Sequence, residues 1–484
     1  MKSNIDYFKV VEEKYITLGT QFKEFEIKFF EEFEIPTHVT QDSIKRILVE
    51  TISSKGSKHH SYKKKSVFKF FILFLSSSSF FLCISLFGRG RSKVISADVL
   101  VELFNNASLN GIYSEISKMM QNFSFVEIVF NNNVKVSEFK NKILRNRNYF
   151  FLKSVARKIF YFHIKNFLFL YKINRKSDFS FIMLFIYLNR HIALYETQSQ
   201  NIQSQLLLSY GDNYYSALRS YIYRKNGIKS ISLIQNGLRG GRFISSSGDM
   251  YTHCDYYFGF GLKQIEIQAG MKCKNKIPAG SIRLSSALKK IQNIKEKFDV
   301  LYAEGYARTK DDHFDPEVYN KSVDNLCKFA LDNKHLKIYY AKKEASRAQA
   351  DNIDIIYYFN LDKKLKASGV YTNNEFTFSN TYEAILASKI IVYYVTTVGM
   401  EALSLGKKVL CCNYNKSKFL LSDEDEIGVL IEDSYEKFEK KLTALIKNES
   451  CESYYLKKQL DFMLDSQRTT EVIVENITTS INPN

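Results

Sequence analysis

From Gln205 to Gly237 the chain spells a strand, a polar turn, a helix and a second strand in unbroken succession. QLLLSYGDN is an apolar run that ends in a turn. YYSALRSYIYRKNG is an amphipathic helix stopped by Gly227, a natural C-terminal cap. IKSISLIQNG is the next strand, and it too ends in polar residues. Two strands joined by a helix pair in parallel, because only a crossover of that length returns the chain to the same edge of a sheet. Ligands of open α/β sheets gather at the carboxyl ends of the strands. Asp212 and Asn236 are therefore expected there.

The alternation continues on both sides. ADVLVELF, IYSEISKMMQ and FSFVEIVF read as strand, helix and strand. Farther on, FDVLYAEG, HLKIYYAKK, KIIVYYVTT and KVLCCNY are strands separated by helices over 317–333, TYEAILAS and TVGMEALSLG. An α/β protein is expected, with two Rossmann-like domains and a helical N-terminal extension. The expected boundaries are 1–95 for the helical, basic extension, 96–262 for the first Rossmann-like domain and 263–484 for the second with its helical tail. At 484 residues the chain is too long for one ordinary core.

A formal net charge of +18 points to an anionic partner: nucleic acid, a membrane surface or a phosphorylated substrate. No zinc-finger spacing or Arg-rich tail is present, and the abundant Phe and Tyr fit strands and helix cores. Nucleic acid is thus not an expected partner. Lys63-Lys64-Lys65 and Arg89 to Lys93 flank the apolar stretch SVFKFFILFLSSSSFFLCISLFG, residues 66–88. It is long enough for a bilayer helix, but Lys69 and four serines interrupt it. Three readings stay open: a buried element, a peripheral membrane contact and a span. Seven cysteines without paired spacing suggest a reducing compartment. The expected location is the cytoplasm, with the inner membrane surface as a candidate contact.

Residues 389–414, KIIVYYVTTVGMEALSLGKKVLCCNY, carry the strongest chemical signal. A strand runs into Thr396-Thr397-Val398-Gly399 and then a helix. A helix N-terminus exposes unpaired N–H groups and suits phosphate. Gly399 would let the backbone approach a ligand, and Glu401 would accept from ribose hydroxyls. The plainer alternative is an ordinary crossover with a threonine cap. The string resembles the nucleotide-sugar site of GT-B glycosyltransferases and of UDP-GlcNAc 2-epimerases, with Lys408 where those carry Pro. IPAGSIRLSSAL, residues 277–288, is similar to the G-S-P-R-L element of bacterial surface-polysaccharide transferases, the Kdo transferases and CDP-glycerol glycerophosphotransferases. SISLIQNGLRGG, residues 230–241, resembles their Q-H-G strand end, with Asn236 in place of His.

That resemblance implies a GT-B arrangement of the two domains around a cleft. Gly280, Ser281, Arg283, Thr396, Thr397, Gly399 and Glu401 would bind the donor. Gln235, Asn236, Arg239 and Arg308 would bind substrate, with Arg242 and Lys310 nearby. Asn236 cannot serve as an acid or base near neutral pH. Asp212 is the first candidate for the catalytic carboxylate, as base toward the acceptor hydroxyl or as nucleophile. Its alternative is to cap the following helix. Glu196 and Glu304 are the other candidates, and Lys342-Lys343 reads as a solvated strand end. No metal site is expected, since Asp423-Glu424-Asp425 sits in an acidic run. No cofactor is expected either. The implied activity is transfer of a sugar from a nucleotide-activated donor, CMP-Kdo-like by preference, to a capsule, lipopolysaccharide or lipid-linked acceptor. The alternatives are a CDP-glycerol-type polyol-phosphate transferase, an epimerase relative and a non-enzymatic basic binding protein.

Overall fold

The computed structural model describes residues 7–53, 67–87, 94–103, 112–129, 143–145, 152–176, 181–211, 215–238, 251–305, 314–343, 352–417 and 420–481, apart from 269, 292, 423 and 448–450. Its described residues form an α/β protein with two large parallel sheets, a small two-stranded parallel one and a helical N-terminal region.

The chain opens with helices α1 (Tyr7–Phe33, kinked at Gly19), α2 (Thr37–Ser53) and α3 (Val67–Phe87). There follow β1 (Ile95–Ser96), β2 (Val99–Leu103), α4 (Ile112–Met119), β3 (Phe125–Val129) and β4 (Ile143–Arg145). Helices α5 (Lys153–Lys165), α6 (Phe167–Lys176) and α7 (Phe181–Gln200) come next. The helices before residue 95 do not stand apart. Phe22, Phe25, Phe29, Phe70, Phe74 and Phe81 share one apolar core with Phe162, Phe181 and Phe185. The extension expected over 1–95 is thus half of a helical unit completed by 152–200.

Strand β5 (Ile202–Gln203) leads to β6 (Leu206–Ser209), α8 (Ala217–Lys225), β7 (Ser230–Ile234), β8 (His253–Gly259), α9 (Leu262–Ile267) and β9 (Lys272–Pro278). Seven strands form the first sheet in the order β4-β3-β2-β6-β7-β8-β9, and every pairing is parallel. Central strands of a parallel sheet are covered on both faces, so they read as continuous apolar runs. All of Leu206–Ser209 and Ser230–Ile234 is buried accordingly. The order reverses between β2 and β6, which makes that gap the switch point. There the Tyr113 hydroxyl donates to the Glu102 carbonyl at 2.9 Å and accepts the Tyr210 N–H at 2.7 Å. One buried side chain thus bridges the two strands where they part.

The second half contains α10 (Ile282–Leu288), β10 (Phe298–Ala303), α11 (Pro316–Asp332), β11 (Ile338–Ala341), α12 (Asn352–Ala367), α13 (Thr381–Leu386), β12 (Ser388–Tyr393), α14 (Thr397–Ser404), β13 (Lys408–Cys412), β14 (Val429–Leu430), α15 (Tyr435–Ile446), α16 (Glu452–Phe462) and α17 (Thr469–Ile481). Its sheet runs β11-β10-β12-β13-β14, again all parallel, with the switch between β10 and β12. Leu238, Phe260 and Leu284, from the first unit's strand ends and α10, pack into the core of the second sheet. The carboxyl ends of the two sheets therefore face each other, which is the GT-B arrangement.

Two segments lie elsewhere than expected. Strand β9, placed with the second unit by a boundary at 263, pairs with β8 in the first sheet. Helix α17 crosses back, and its Ile473, Val474, Ile477 and Ile481 join Val99, Val101, Leu206 and Leu208 in the first core.

Helix α2 is tied to the first sheet electrostatically. Asp42 meets His253 Nε2 at 2.6 Å and Lys272 Nζ at 2.7 Å, and the His38 ring stacks on His253. Burial would raise the Asp42 carboxyl, but hydrogen bonds from His253 and Lys272 outweigh it and hold it below the usual range. A lowered carboxylate pKa adds stability above its unfolded value, about 3.9, and that stability is lost as the pH falls further. Thermal melts between pH 6 and 3 are expected to show a steeper acid decline for the native chain than for Asp42→Asn. Parallel declines would leave this tie without a contribution.

Candidate functional site

The second sheet's switch point lies between the ends of β10 and β12. Gly305 follows β10 and lies against the turn after β12: a Cβ there would come within 1.9 Å of the Val395 carbonyl oxygen. Only glycine permits so close an approach of two main chains. The chain then turns at Thr396, whose backbone is extended (φ −160°, ψ 137°), and enters α14 at Thr397. The Thr396 side chain makes no capping bond. The Thr396 hydroxyl therefore does not compete with an anion for the first-turn N–H groups of α14. Thr396 and Thr397 are half-buried there.

Gly399 serves packing and not approach to a ligand. It is buried, and a Cβ on it would fall 2.2 Å from Cγ of the Tyr393 ring. The absent side chain lets the first turn of α14 rest directly on the strand that precedes it.

Glu401 is also occupied by the protein. It is 1% exposed. One carboxylate oxygen accepts from the Ser281 hydroxyl, and the other from the Tyr382 hydroxyl at 2.8 Å. Burial pushes its carboxyl up, opposed by Ser281, Arg283 and Tyr382. The expected ribose contact is replaced by a brace between α14 and the start of α10.

That start is built by Gly280 and Ser281. Gly280 has φ +83° and sits tightly against Ser466 and Thr469 of the returning tail. The Ser281 N–H donates to Ser466 Oγ at 2.9 Å, and its hydroxyl caps α10 by accepting from the Leu284 N–H. The Ser281 N–H and hydroxyl are thus already engaged by the protein. Arg283 differs. It is exposed, in the first turn of α10, within electrostatic reach of Tyr382, Glu401 and Tyr210. Tyr210 ends β6 of the first sheet. Arg283 thus stands where the two strand-end surfaces meet.

On the first sheet, Asn236 is half-buried at the end of β7. Its neighbour Gln235 is fully buried. The Gln235 amide donates to Gly237 O at 2.8 Å and to Gln264 Oε1 at 2.7 Å, and its carbonyl accepts the Phe260 N–H at 2.8 Å. Gln235 ties the ends of β7 and β8 together and is not a ligand contact in this arrangement. Asp212, Arg239, Arg242, Arg308 and Lys310 lie outside the described residues. Tyr210 and Gly211, which precede Asp212, are described at the cleft end of β6.

The other two carboxylates are engaged by the protein. Glu304 is 5% exposed and accepts from the Tyr340 hydroxyl at 3.0 Å, the Tyr319 hydroxyl at 3.4 Å and the Lys343 N–H. Three protein donors already surround it. Glu196, near the end of α7, accepts from Asn226 at 3.0 Å and Gln200 at 2.9 Å. Asn226 closes α8 on the edge where the strands begin, opposite the cleft. Lys342, read as solvated, is buried and paired with Asp362 at 2.9 Å.

Tyr210, Tyr382 and Ser466 are site residues that the sequence did not single out. Tyr210 carried a signal, since it occupies the last place before the Gly211-Asp212 turn. Tyr382 read only as part of a helix, and Ser466 had no local mark. Together the arrangement offers an uncapped helix end, two threonine hydroxyls and one arginine at the ends of the second sheet's strands. Tyr210 approaches Arg283 and Tyr382 from the first sheet, and Asn236 ends the neighbouring strand.

No protein-family model matches the chain, and no curated protein matches its sequence. Among solved structures the chain is similar to a variant of the wall teichoic acid polymerase TagF, at 12% identity and TM-score 0.46, over 86% of this chain and 97% of that one. It is also similar to a putative UDP-N-acetylglucosamine 2-epimerase from Listeria monocytogenes, at 11% identity and TM-score 0.46, over 81% and 98%. A third is the UDP-GlcNAc 2-epimerase from Neisseria meningitidis bound to UDP-GlcNAc, at 12% identity and TM-score 0.43, over 80% and 100%.

Proposed function

We propose that this chain is a glycosyltransferase that takes a sugar from a nucleotide-activated donor and passes it to an acceptor hydroxyl. The observation that carries the reading is the uncapped first turn of α14 at the second switch point, with Arg283 beside it and the end of β6 opposite. A donor phosphate would lie against the α14 N–H groups and the guanidinium. As the bond from the sugar to the phosphate oxygen breaks, that oxygen gains charge, and both groups would stabilise it. Asp212, two residues beyond Tyr210, would take the proton of the acceptor hydroxyl as the new bond forms. Asn236 would orient the acceptor by hydrogen bonds without exchanging a proton.

A CMP-Kdo-like donor is the first to try, on the resemblance of residues 277–288. Thermal melts with CMP, CDP, UDP and GDP test the donor site, because a ligand confined to the native state raises apparent stability. At a hundredfold excess over Kd the gain is about 2.7 kcal/mol. CMP is expected to raise the midpoint, and Arg283→Ala to abolish the rise. A rise with CDP alone would move the assignment to a polyol-phosphate donor, and with UDP alone to a UDP-sugar enzyme. No rise with any nucleotide, in folded protein, would sink the reading.

A further inference from the structure

Helix α3 meets the protein along one stripe only. Phe70, Phe74, Ser77, Ser78, Phe81 and Ser85 are buried, a spacing that keeps to one face of a helix. Ser78 shares a hydrogen bond with His163 Nδ1 at 2.9 Å, and His163 Nε2 meets the Asn189 amide at 3.0 Å. The segment is long and apolar enough to cross a membrane. To do so it would have to abandon this buried hydrogen bond and the core packing of Phe70, Phe74 and Phe81. The helix is part of the fold, and its outer face needs a separate explanation.

That outer face is apolar. Phe68 is 74% exposed, Leu75 61% and Phe87 83%, with Ile72 and Leu86 also open. Helix α5 lies alongside α3, and α5 and α6 add exposed Tyr161, Ile164 and Leu168. Soluble surfaces rarely present so many large apolar side chains together. The charge beside them has one sign. Lys69, Lys153, Arg157, Lys158, Lys165, Lys172, Arg175 and Lys176 are the charged residues of α3, α5 and α6, and these helices contain no Asp or Glu.

We propose that the outer face of α3, with the exposed residues of α5 and α6, lies in the interfacial layer of an anionic lipid bilayer. The helix rests on the membrane and does not cross it. Apolar side chains enter the boundary between headgroups and acyl chains, and the surrounding cations bind the negative headgroups. Charge complementarity selects this occupant over a second copy of the chain, whose own face would be equally basic.

Sedimentation of the full chain with vesicles tests this without nucleotide, so its outcome is independent of the donor site. The probes are phosphatidylcholine vesicles with and without phosphatidylglycerol. Binding is expected with the anionic vesicles, and at least tenfold weaker with phosphatidylcholine alone. The Leu75→Asp/Leu168→Asp pair, shown by melting to be folded, is expected to lose at least tenfold in binding. Lys172→Glu/Arg175→Glu/Lys176→Glu, which leaves the apolar face intact, is expected to do the same. The proposal is overturned if the native chain ignores anionic vesicles or if both folded variants bind as it does. Resistance to an alkaline carbonate wash would indicate a span and would also overturn it. So would a native dimer that becomes monomeric with the apolar substitutions and binds no vesicles.

Discussion

Arg219→Met is expected to cost the chain about 3–5 kcal/mol, the cost of leaving one partner of a buried ion pair alone. Arg219 is 1% exposed and Glu102 is fully buried. The guanidinium binds the Glu102 carboxylate directly. It also lies 4.9 Å from the centre of the Tyr215 ring, 5.4 Å from that of Tyr195 and 5.5 Å from that of Tyr223. Burial pushes the Glu102 carboxyl up, and Arg219 is the first group that pulls it back. Without the arginine the carboxylate must either stay charged in an apolar site or take up a proton. Either way the first sheet loses stability at neutral pH. Glu102→Leu combined with Arg219→Met removes both charges, and this pair should recover most of the loss. Urea unfolding of the three proteins gives the comparison. A single substitution that costs less than about 1 kcal/mol, the level of an exposed pair, would show that water reaches this site.

Gly399→Ala should have the larger effect on ligand binding. The new methyl would lie 2.2 Å from the Tyr393 ring, and Tyr393 is fixed in a central strand with no exposed surface. The helix must move because the ring cannot. Overpacking of this kind costs about 1–3 kcal/mol. A displacement of about 1 Å at a binding element can cost on the order of a hundredfold in function. Any midpoint rise that a nucleotide gives the native chain is therefore expected to vanish in Gly399→Ala. Gly406→Asn is the matched control at the far end of the same helix. Gly406 has φ +68° with open space around it, and Asn tolerates that backbone. If Gly399→Ala keeps the full nucleotide response, the first turn of α14 does not hold the ligand.

The alternation of apolar runs and helices made both sheets legible, because central parallel strands must be apolar throughout. Strand β9 was not legible for the same reason. KCKNKIP is an edge strand with mostly open faces, so it carries no apolar run, and its lysines suit an unpaired edge. The turns and helix starts that carry Ser281, Gly399 and Glu401 could be read, but the contacts those residues make could not. Glu401 looked like a ribose ligand, since nothing local reveals that Ser281, far away in sequence, would occupy it. Gly399 looked like a ligand contact because a sequence does not show which ring lies beneath a helix. Arg219 looked like one more cation of an amphipathic helix. Its inward position depends on a glutamate in another strand.

The return of α17 to the first sheet has a consequence for how the chain is made. Ile473, Val474, Ile477 and Ile481 complete a core whose other members, Val99 and Val101 among them, are synthesised some 370 residues earlier. Domains ordinarily fold as units while synthesis proceeds, the N-terminal one first. Here the first half has to wait on the ribosome with part of its apolar surface uncovered until α17 has been made. A chain that stops before residue 473 would therefore damage the half of the protein that was made first.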